Sequence, residues 1–121
     1  MTRTKLEPRY VDQVSFYGKA KTETNGDEIT LYSYNTEILT IIPGDRVCNI
    51  SWFGYSKTTM NHINDFLQQN SLPKLYKKDW LFICDWYIEY ELPLLKEELE
   101  YIIENPKEAK EDMQRATGQF S

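Results

Sequence analysis

The chain has few of the residues from which metal sites and nucleophilic enzymes are built. Its 121 residues include one histidine, His62, and two cysteines, Cys48 and Cys84. A structural zinc site normally needs about four nitrogen or sulfur ligands, which this chain cannot supply alone. We therefore predict no metal and no cofactor. We expect both cysteines to be buried, unreactive thiols in a reducing compartment, with a disulfide or a reactive cysteine as the alternative.

Glycine-rich phosphate loops and long apolar runs are missing as well. Only five glycines are present, and none forms a GxxxxGK(S/T) or GxGxxG pattern. The most apolar stretch, WLFICDWYI at 80–88, is too short to cross a bilayer and contains Asp85. The beginning of the chain, MTRTKLEPRYV, lacks the apolar core of a secretion signal. These features predict a cytoplasmic protein without a membrane partner.

Acidic residues are concentrated in the second half of the chain. Residues 1–60 contain seven basic and seven acidic side chains, whereas residues 61–121 contain seven basic and twelve acidic ones. The whole net charge of −5 therefore arises after residue 60. A simple phosphate-binding protein usually has the opposite bias.

The first half alternates apolar and polar residues, as half-buried strands do. Asn25-Gly26 lies between two such stretches and predicts a hairpin turn, and Pro43-Gly44-Asp45 predicts a further break. The predicted strands cover residues 13–21, 28–36, 37–42 and 46–54. Together they predict a small antiparallel β-meander.

A helix is predicted after the meander. Ser56 or Thr58 can cap its first turn, and Asn70 stands where a helix commonly ends. We expect its apolar stripe to pack on one face of the sheet. The stripe consists of Met60, Ile63, Phe66 and Leu67.

The rest of the chain predicts a C-terminal helical segment. Residues 77–89 are apolar on nearly every side and favour a buried helix, with a strand as the alternative. Residues 91–105 predict an amphipathic helix, and Asn105-Pro106 starts another that ends at Gly118. The stripe of the 91–105 helix is Leu92, Leu95, Leu99, Ile102 and Ile103. We predict an α+β fold, with a sheet-plus-helix unit at 1–70 and an acidic helical extension at 71–121.

His62 allows three interpretations. A catalytic histidine would need a serine or cysteine placed beside it, and nothing in the sequence orients such a group, although Thr58 is four residues earlier. The alternatives are a surface or partner-contacting side chain, and a packed structural histidine that hydrogen-bonds, for example, to Asp65. We expect the protein not to be an enzyme.

Two candidate binding surfaces stand out. Residues 85–112 carry ten acids and three lysines, so they could enter the basic groove of a nucleic-acid-binding protein, or be an ordinary solvated helix face. Strand aromatics could stack bases, anchor a protein interface, or be covered by the C-terminal helices. The candidate partner-binding residues are Glu97, Glu98, Glu100, Glu104, Glu108, Glu111, Asp112, Tyr32, Tyr34 and Trp52.

Three segments in order resemble a small domain of unknown function from phages and mobile elements of Gram-positive bacteria. They are SFYGKAK (15–21), LYSYNT (31–36) and TTMNHINDFLQQN (58–70), and the resemblance covers about residues 8–70. It implies a helix start and packing face at TTxxHIxxFLxQN, and a phage protein acting in a bacterial cytoplasm. It implies no activity and no catalytic residues.

These observations lead to three hypotheses. The first is a non-enzymatic phage inhibitor that binds a host nucleic-acid-handling defence protein, such as a CRISPR effector nuclease, through its acidic helices and exposed aromatics. Such a protein would be an anti-CRISPR protein. The second is a nucleic-acid-binding accessory protein with Tyr32, Tyr34 and Trp52 as a stacking platform. The third is a structural module that forms a homodimer through residues 80–90.

Overall fold

The computed structural model of the chain describes residues 3–7, 9 and 19–118, with side chains as far as residue 112. Within this part, six strands form one sheet in sequence order, each antiparallel to the next. They are β1 (Thr4–Lys5), β2 (Ala20–Asn25), β3 (Glu28–Ser33), β4 (Thr36–Ile42), β5 (Arg46–Ile50) and β6 (Leu94–Leu95). The predicted α+β class and antiparallel meander are confirmed. Most of the strand predicted at 13–21 lies outside the described residues.

Two hairpin turns differ from the sequence prediction. The β2–β3 turn is Gly26-Asp27, one residue later than predicted, because Asn25 pairs with Glu28. Gly26 has φ +67, which suits the first central position of a type II′ turn. The stretch 28–36 is not one strand, since Tyr34 and Asn35, with φ of 51 and 67, turn the chain back into β4. A Tyr-Asn pair carries no strong hairpin signal, so the sequence did not reveal this turn.

One face of the sheet is covered by a helix, as predicted. Leu31 pairs with Leu39 and Ile41 pairs with Val47, so these four side chains share a face. All four are at most 1% exposed. The predicted stripe of the first helix packs into the same cluster; it consists of Met60, Ile63, Phe66 and Leu67.

The described residues form four helices: α1 (Lys57–Gln69), α2 (Lys77–Tyr90), α3 (Lys96–Glu104) and α4 (Pro106–Gly118). Ser56 caps α1, because its Oγ accepts a hydrogen bond from the Thr59 backbone N at 3.1 Å. The bounds of α1, α2 and α4 confirm the helices predicted after Ser56, at 77–89 and after Asn105. None of the helices in these residues is long and apolar enough to span a membrane.

The helix predicted at 91–105 is wrong in its first five residues. Glu91 ends α2 in the left-handed conformation with φ 51, and Pro93 disfavours helical backbone at Leu92. Leu94 instead pairs with Val47, so the chain adds β6 to the sheet. As a result, Leu99 and Ile102 are buried and Ile103 is half-buried, whereas Leu92 and Leu95 are 55% and 40% exposed.

The second half of the chain contributes to the same hydrophobic cluster as the sheet. Its buried members there include Trp80, Ile83, Leu99, Ile102 and Ala109. The sheet also reaches residue 95 through β6. The division into units 1–70 and 71–121 stays a prediction.

Candidate functional site

The seven predicted acidic residues lie on α3 and α4, and all of them are exposed. We call this set the acidic face; it comprises Glu97, Glu98, Glu100, Glu104, Glu108, Glu111 and Asp112. Burial of Leu99, Ile102 and Ala109 fixes how the two helices rest on the core. With these residues facing the core, the carboxylates of both helices face the solvent. The acidic face is therefore available to a partner in the described structure.

Three glutamates on α3 form no ion pair with any of the described residues. Glu97, Glu100 and Glu104 follow the three- and four-residue spacing that places side chains on one side of a helix. Ion pairs among the described residues lie in or beside the sheet, and these glutamates take no part in them. Their charge is therefore uncompensated by a close ion pair in the described part of the chain.

Other members of the acidic face have roles within the chain. Glu98 Oε1 accepts a hydrogen bond from the Leu95 backbone N at 2.9 Å, which caps the start of α3. The Tyr101 hydroxyl donates to Asp112 Oδ2 at 2.8 Å and connects α3 to α4. Glu98 and Asp112 therefore stabilise the local structure and also contribute charge to the acidic face.

A cleft of about 290 Å³ opens between α3 and α4 beside the acidic face. Carboxylates and apolar side chains both line it: Glu97, Glu98, Tyr101, Ile102, Ala109 and Asp112. Such a lining suits a lysine or arginine side chain, because its methylene stem can pack on apolar groups while its charge stays near carboxylates.

Lysines gather on a different side of α4. A cleft of about 510 Å³ between α2 and α4 is lined by three of them, together with acidic and apolar residues: Lys78, Asp79, Leu81, Phe82, Asp85, Pro106, Lys107 and Lys110. The two lysines of α4 in this cleft are therefore separated from the cleft with the acidic rim.

The predicted stacking platform is not assembled as expected. Tyr32 is only 7% exposed, and the guanidinium carbon of Arg3 lies 3.7 Å from its ring centroid. Trp52 is half-buried and stacks on Trp80 with ring centroids 6.3 Å apart. Tyr34 alone of the three is widely exposed, at 50%, and it belongs to a turn rather than to the sheet face.

His62 is a buried structural residue in the described structure. It is 0% exposed, and its Nδ1 lies 2.8 Å from the hydroxyl oxygen of Ser33. That hydroxyl also lies 3.2 Å from the hydroxyl of Thr59. Burial lowers the pKa of His62 to about 4, although the charge of Asp65 acts in the opposite direction. The imidazole is therefore neutral at pH 7, and the interpretation as a surface histidine is wrong.

Ser33 and His62 place a hydroxyl next to an imidazole, as in a nucleophile–base pair, but solvent and substrate have no access to them. Ser33 is 2% exposed, so both it and His62 are closed off from solvent in this arrangement. Asp65 holds other groups as well, because its carboxylate oxygens accept hydrogen bonds from the Arg9 backbone N at 2.9 and 3.1 Å. These hydrogen bonds connect strand β3 and the N-terminal segment to helix α1. The absence of enzymatic activity stays a prediction.

The three segments that carry the family resemblance meet at this network. Lys19 comes from the first, Ser33 and Tyr34 from the second, and Thr59 and His62 from the third. The backbone N of Tyr34 donates to the Lys19 carbonyl at 2.9 Å, and the Tyr34 and His62 ring centroids are 5.9 Å apart. Sequence reasoning missed this cluster, although SYNT and TTxxHI were its signals.

A notch of about 230 Å³ lies at the outer side of the same cluster, and its described lining is Lys19, Lys21, Tyr34 and Asn35. Among the described residues, no group of three or more His, Cys, Asp and Glu could hold a metal ion.

The segment predicted for dimerisation divides into a buried and an exposed part. Trp80 and Ile83 are 0% exposed and belong to the chain's own core. Leu81 and Ile88 are 37% and 58% exposed, and their spacing of seven places them on one side of α2. Dimer formation itself stays a prediction.

Comparison with known proteins adds one finding. The family model of DUF8033, a family of unknown function, matches residues 4–81. The match includes the sheet as far as β5, helix α1 and the first part of α2. No curated protein and no solved structure matches the chain.

Proposed function

Because this chain belongs to DUF8033, a family of unknown function, we propose its activity from its own surface: it is a non-enzymatic inhibitor that binds a basic, nucleic-acid-handling protein of a bacterial host. The acidic face of α3 and α4 would occupy the groove in which the target holds nucleic acid. The first target class to test is a defence nuclease such as a CRISPR effector. The acidic face lies entirely beyond the residues that match the family, so this function would be particular to the chain.

One observation carries the proposal: Glu97, Glu100 and Glu104 are exposed on one side of α3 without ion pairs among the described residues. With a rise of about 1.5 Å per residue, they stand roughly 4.5 and 6 Å apart along the helix axis. A rigid row of negative charges can be matched by lysines and arginines arranged for a phosphate backbone. Like charges on the protein surface also repel competing acidic partners.

The energetic contribution of such a surface is expressed mainly in the rate of association. Exposed ion pairs contribute only about 0.2–1 kcal/mol each, whereas charge complementarity can raise association rates by orders of magnitude at low salt. The cleft between α3 and α4 can add contacts that last longer, because an inserted cationic side chain also buries its apolar stem there. The complex should therefore weaken with increasing salt without disappearing.

The setting of the proposal comes from the resemblance to phage and mobile-element domains. A protein from such an element gains from blocking a host nuclease that acts on foreign nucleic acid. The proposal also accounts for the location of the charge, because the acidic residues lie on helices that pack on the core through other faces. An inhibitor of this kind needs no catalytic group of its own.

The test is an affinity capture from lysate of a CRISPR-carrying Gram-positive host, carried out with and without nuclease treatment and analysed by mass spectrometry. The expected result is a basic nucleic-acid-handling protein that the wild-type chain retains after nuclease treatment, and whose nucleic-acid binding or cleavage it inhibits. Recovery only of proteins that vanish after nuclease treatment would contradict the proposal.

A further inference from the structure

The notch at the β3–β4 turn combines an exposed aromatic ring with two lysines. Its described lining consists of Lys19, Lys21, Tyr34 and Asn35. The Lys19 ammonium lies 5.9 Å from the centroid of the Tyr34 ring. Neither lysine forms an ion pair in the part of the chain that the structure describes. The notch therefore offers positive charge and a flat apolar surface side by side.

Tyr34 adopts a backbone conformation that its side chain disfavours. Its φ of 51 lies in the left-handed region, which glycine and asparagine occupy more easily than tyrosine. The next residue, Asn35, has φ 67 and suits the same kind of turn. Strained residues of this kind are concentrated at functional sites. A tyrosine at this position places a half-exposed ring at the tip of a hairpin, where the fold by itself would favour a smaller residue.

Hydrogen bonds on both sides hold the β3–β4 turn in place. Ser33 precedes the turn, and its hydroxyl is joined to His62 Nδ1 at 2.8 Å and to Thr59 Oγ1 at 3.2 Å. On the other side, the Tyr34 backbone N donates to the Lys19 carbonyl at 2.9 Å. These hydrogen bonds fix the turn to both α1 and the residue before β2. Ser33, Thr59 and His62 therefore anchor the end of β3, from which the turn with Tyr34 starts.

We propose that this notch binds one nucleotide unit of a single-stranded nucleic acid, with a base stacked on Tyr34 and a phosphate between Lys19 and Lys21. Aromatic side chains next to lysines are the usual elements of single-strand binding. The volume of about 230 Å³ is below the roughly 300–1,000 Å³ of pockets that enclose a whole small ligand. A notch of this size would therefore leave part of the nucleotide exposed, which is compatible with one unit of a longer strand.

This site is independent of the acidic face. It is formed by β2 and the β3–β4 turn within the matched family region, whereas the acidic face lies on α3 and α4 after it. Loss of one activity should leave the other intact. The failure of either proposal can therefore be recognised separately.

The experiment measures fluorescence anisotropy of a labelled ten-nucleotide oligothymidylate with the full chain. Tyr34→Ala should weaken binding about tenfold or more, because stacking on one aromatic ring is lost. Lys19→Gln and Lys21→Gln should each reduce the slope of log affinity against log salt by roughly 0.7. Tyr34→Phe keeps the ring and should keep the affinity.

Tyr76 provides a matched control for Tyr34. It is 57% exposed and has the Lys74 ammonium 5.4 Å from its ring centroid, so it presents a similar pair away from the notch. Tyr76→Ala should leave oligonucleotide binding unchanged. Equal losses for Tyr34→Ala and Tyr76→Ala would overturn the assignment to this notch, as would unchanged binding in Tyr34→Ala.

Two further measurements separate function from structure and identify the ligand. Tyr34→Gly relieves the left-handed strain, so it should abolish binding without lowering the melting temperature. Lost binding together with a lower melting temperature would show that the Tyr34 ring stabilises the fold, and would overturn the proposal. Thymidine monophosphate should compete more effectively than inorganic phosphate and less effectively than unlabelled oligonucleotide. Equal competition by inorganic phosphate would also overturn it, because stacking would then contribute nothing.

Discussion

The hydroxyl oxygen of Ser33 lies 2.8 Å from Nδ1 of His62, which ties the end of a strand to a helix residue 29 positions later. Both side chains are almost fully buried. The imidazole therefore stays neutral and acts as a hydrogen-bonding group of the core. The chain's one histidine is therefore a structural residue, although histidine is a residue type that often acts in catalysis.

The buried histidine should make stability depend on pH. Burial lowers the pKa of His62 from 6.5 to about 4, so between these values the unfolded chain binds a proton that the folded chain does not. The free energy of unfolding should therefore fall as the pH falls from 6.5 to 4, by up to about 3 kcal/mol from this group. Well above pH 6.5 the imidazole is neutral in both the folded and the unfolded chain, so it no longer lowers the free energy of unfolding.

This prediction can be checked at the residue itself. Because the chain contains one histidine, an NMR titration of its ring resonances measures the pKa of His62 without assignment. Urea unfolding at pH 7 and pH 5 then compares the wild-type chain with His62→Gln, which should show the smaller loss of stability at pH 5. A ring that titrates at pH 6.5 in the folded protein would contradict the buried, neutral histidine.

Removal of the Ser33 hydroxyl should destabilise the network. Ser33→Ala leaves His62 Nδ1 and Thr59 Oγ1 without this partner in a buried place, which should cost about 1–3 kcal/mol. Ser51→Ala is the control, because its hydroxyl donates to Glu37 Oε2 at 2.6 Å but at an exposed position. Its effect should stay within about 0.5 kcal/mol. Equal unfolding midpoints in urea for the two variants would argue against the network.

Asn64 should be a further stability determinant. Its side chain donates to the Leu75 carbonyl and accepts from the Leu75 backbone N, both at 2.8 Å, so it fixes the loop between α1 and α2. Asn64→Ala should lower the free energy of unfolding by about 2–4 kcal/mol, because two buried backbone groups lose their partner. Gln68→Ala on the same helix should change it by less than about 0.5 kcal/mol. Similar urea midpoints for both variants would contradict this role.

The two cysteines should differ in reactivity. Burial raises the pKa of the Cys84 thiol to about 12, with a smaller effect of Asp85, and Cys84 is 2% exposed. Burial also raises the pKa of Cys48, which is only half-buried. A thiol reagent at pH 8 should therefore modify Cys48 slowly and Cys84 only after unfolding. Mass spectrometry of partly labelled protein would identify the modified residue, and early labelling of Cys84 would contradict this order.

Local signals in the sequence predicted most elements of the fold. Ser56 before an apolar stripe of period 3.6 gave the start of α1, and Gly26 located the β2–β3 turn to within one residue. The β3–β4 turn was missed because Tyr34 is held in a left-handed conformation by bonds to distant residues. Leu94 and Leu95 were assigned to a helix because their strand partner, β5, lies more than 40 residues away in sequence.

The candidate site was predictable to different extents for its two kinds of residue. Charged residues on an amphipathic helix point away from the buried stripe, so the exposure of Glu97, Glu100 and Glu104 followed from the period of Leu99 and Ile102. Burial of Tyr32 could not be inferred from its strand face, because the position of Arg3 over its ring is a contact between residues far apart in sequence. The same reason applies to Trp52, whose stacking partner Trp80 comes from α2.

The most direct test of the account compares the captured partner's affinity for the wild-type chain with its affinity for the triple variant Glu97→Lys, Glu100→Lys and Glu104→Lys. A matched control reverses Asp27, Glu28 and Glu89, which are also exposed but lie off α3 and α4, and so changes the net charge by the same amount. We predict that the α3 variant loses most of its affinity and its salt dependence, whereas the control retains both. Equal affinity of the wild-type chain and the α3 variant would contradict the central claim that the acidic face binds the target.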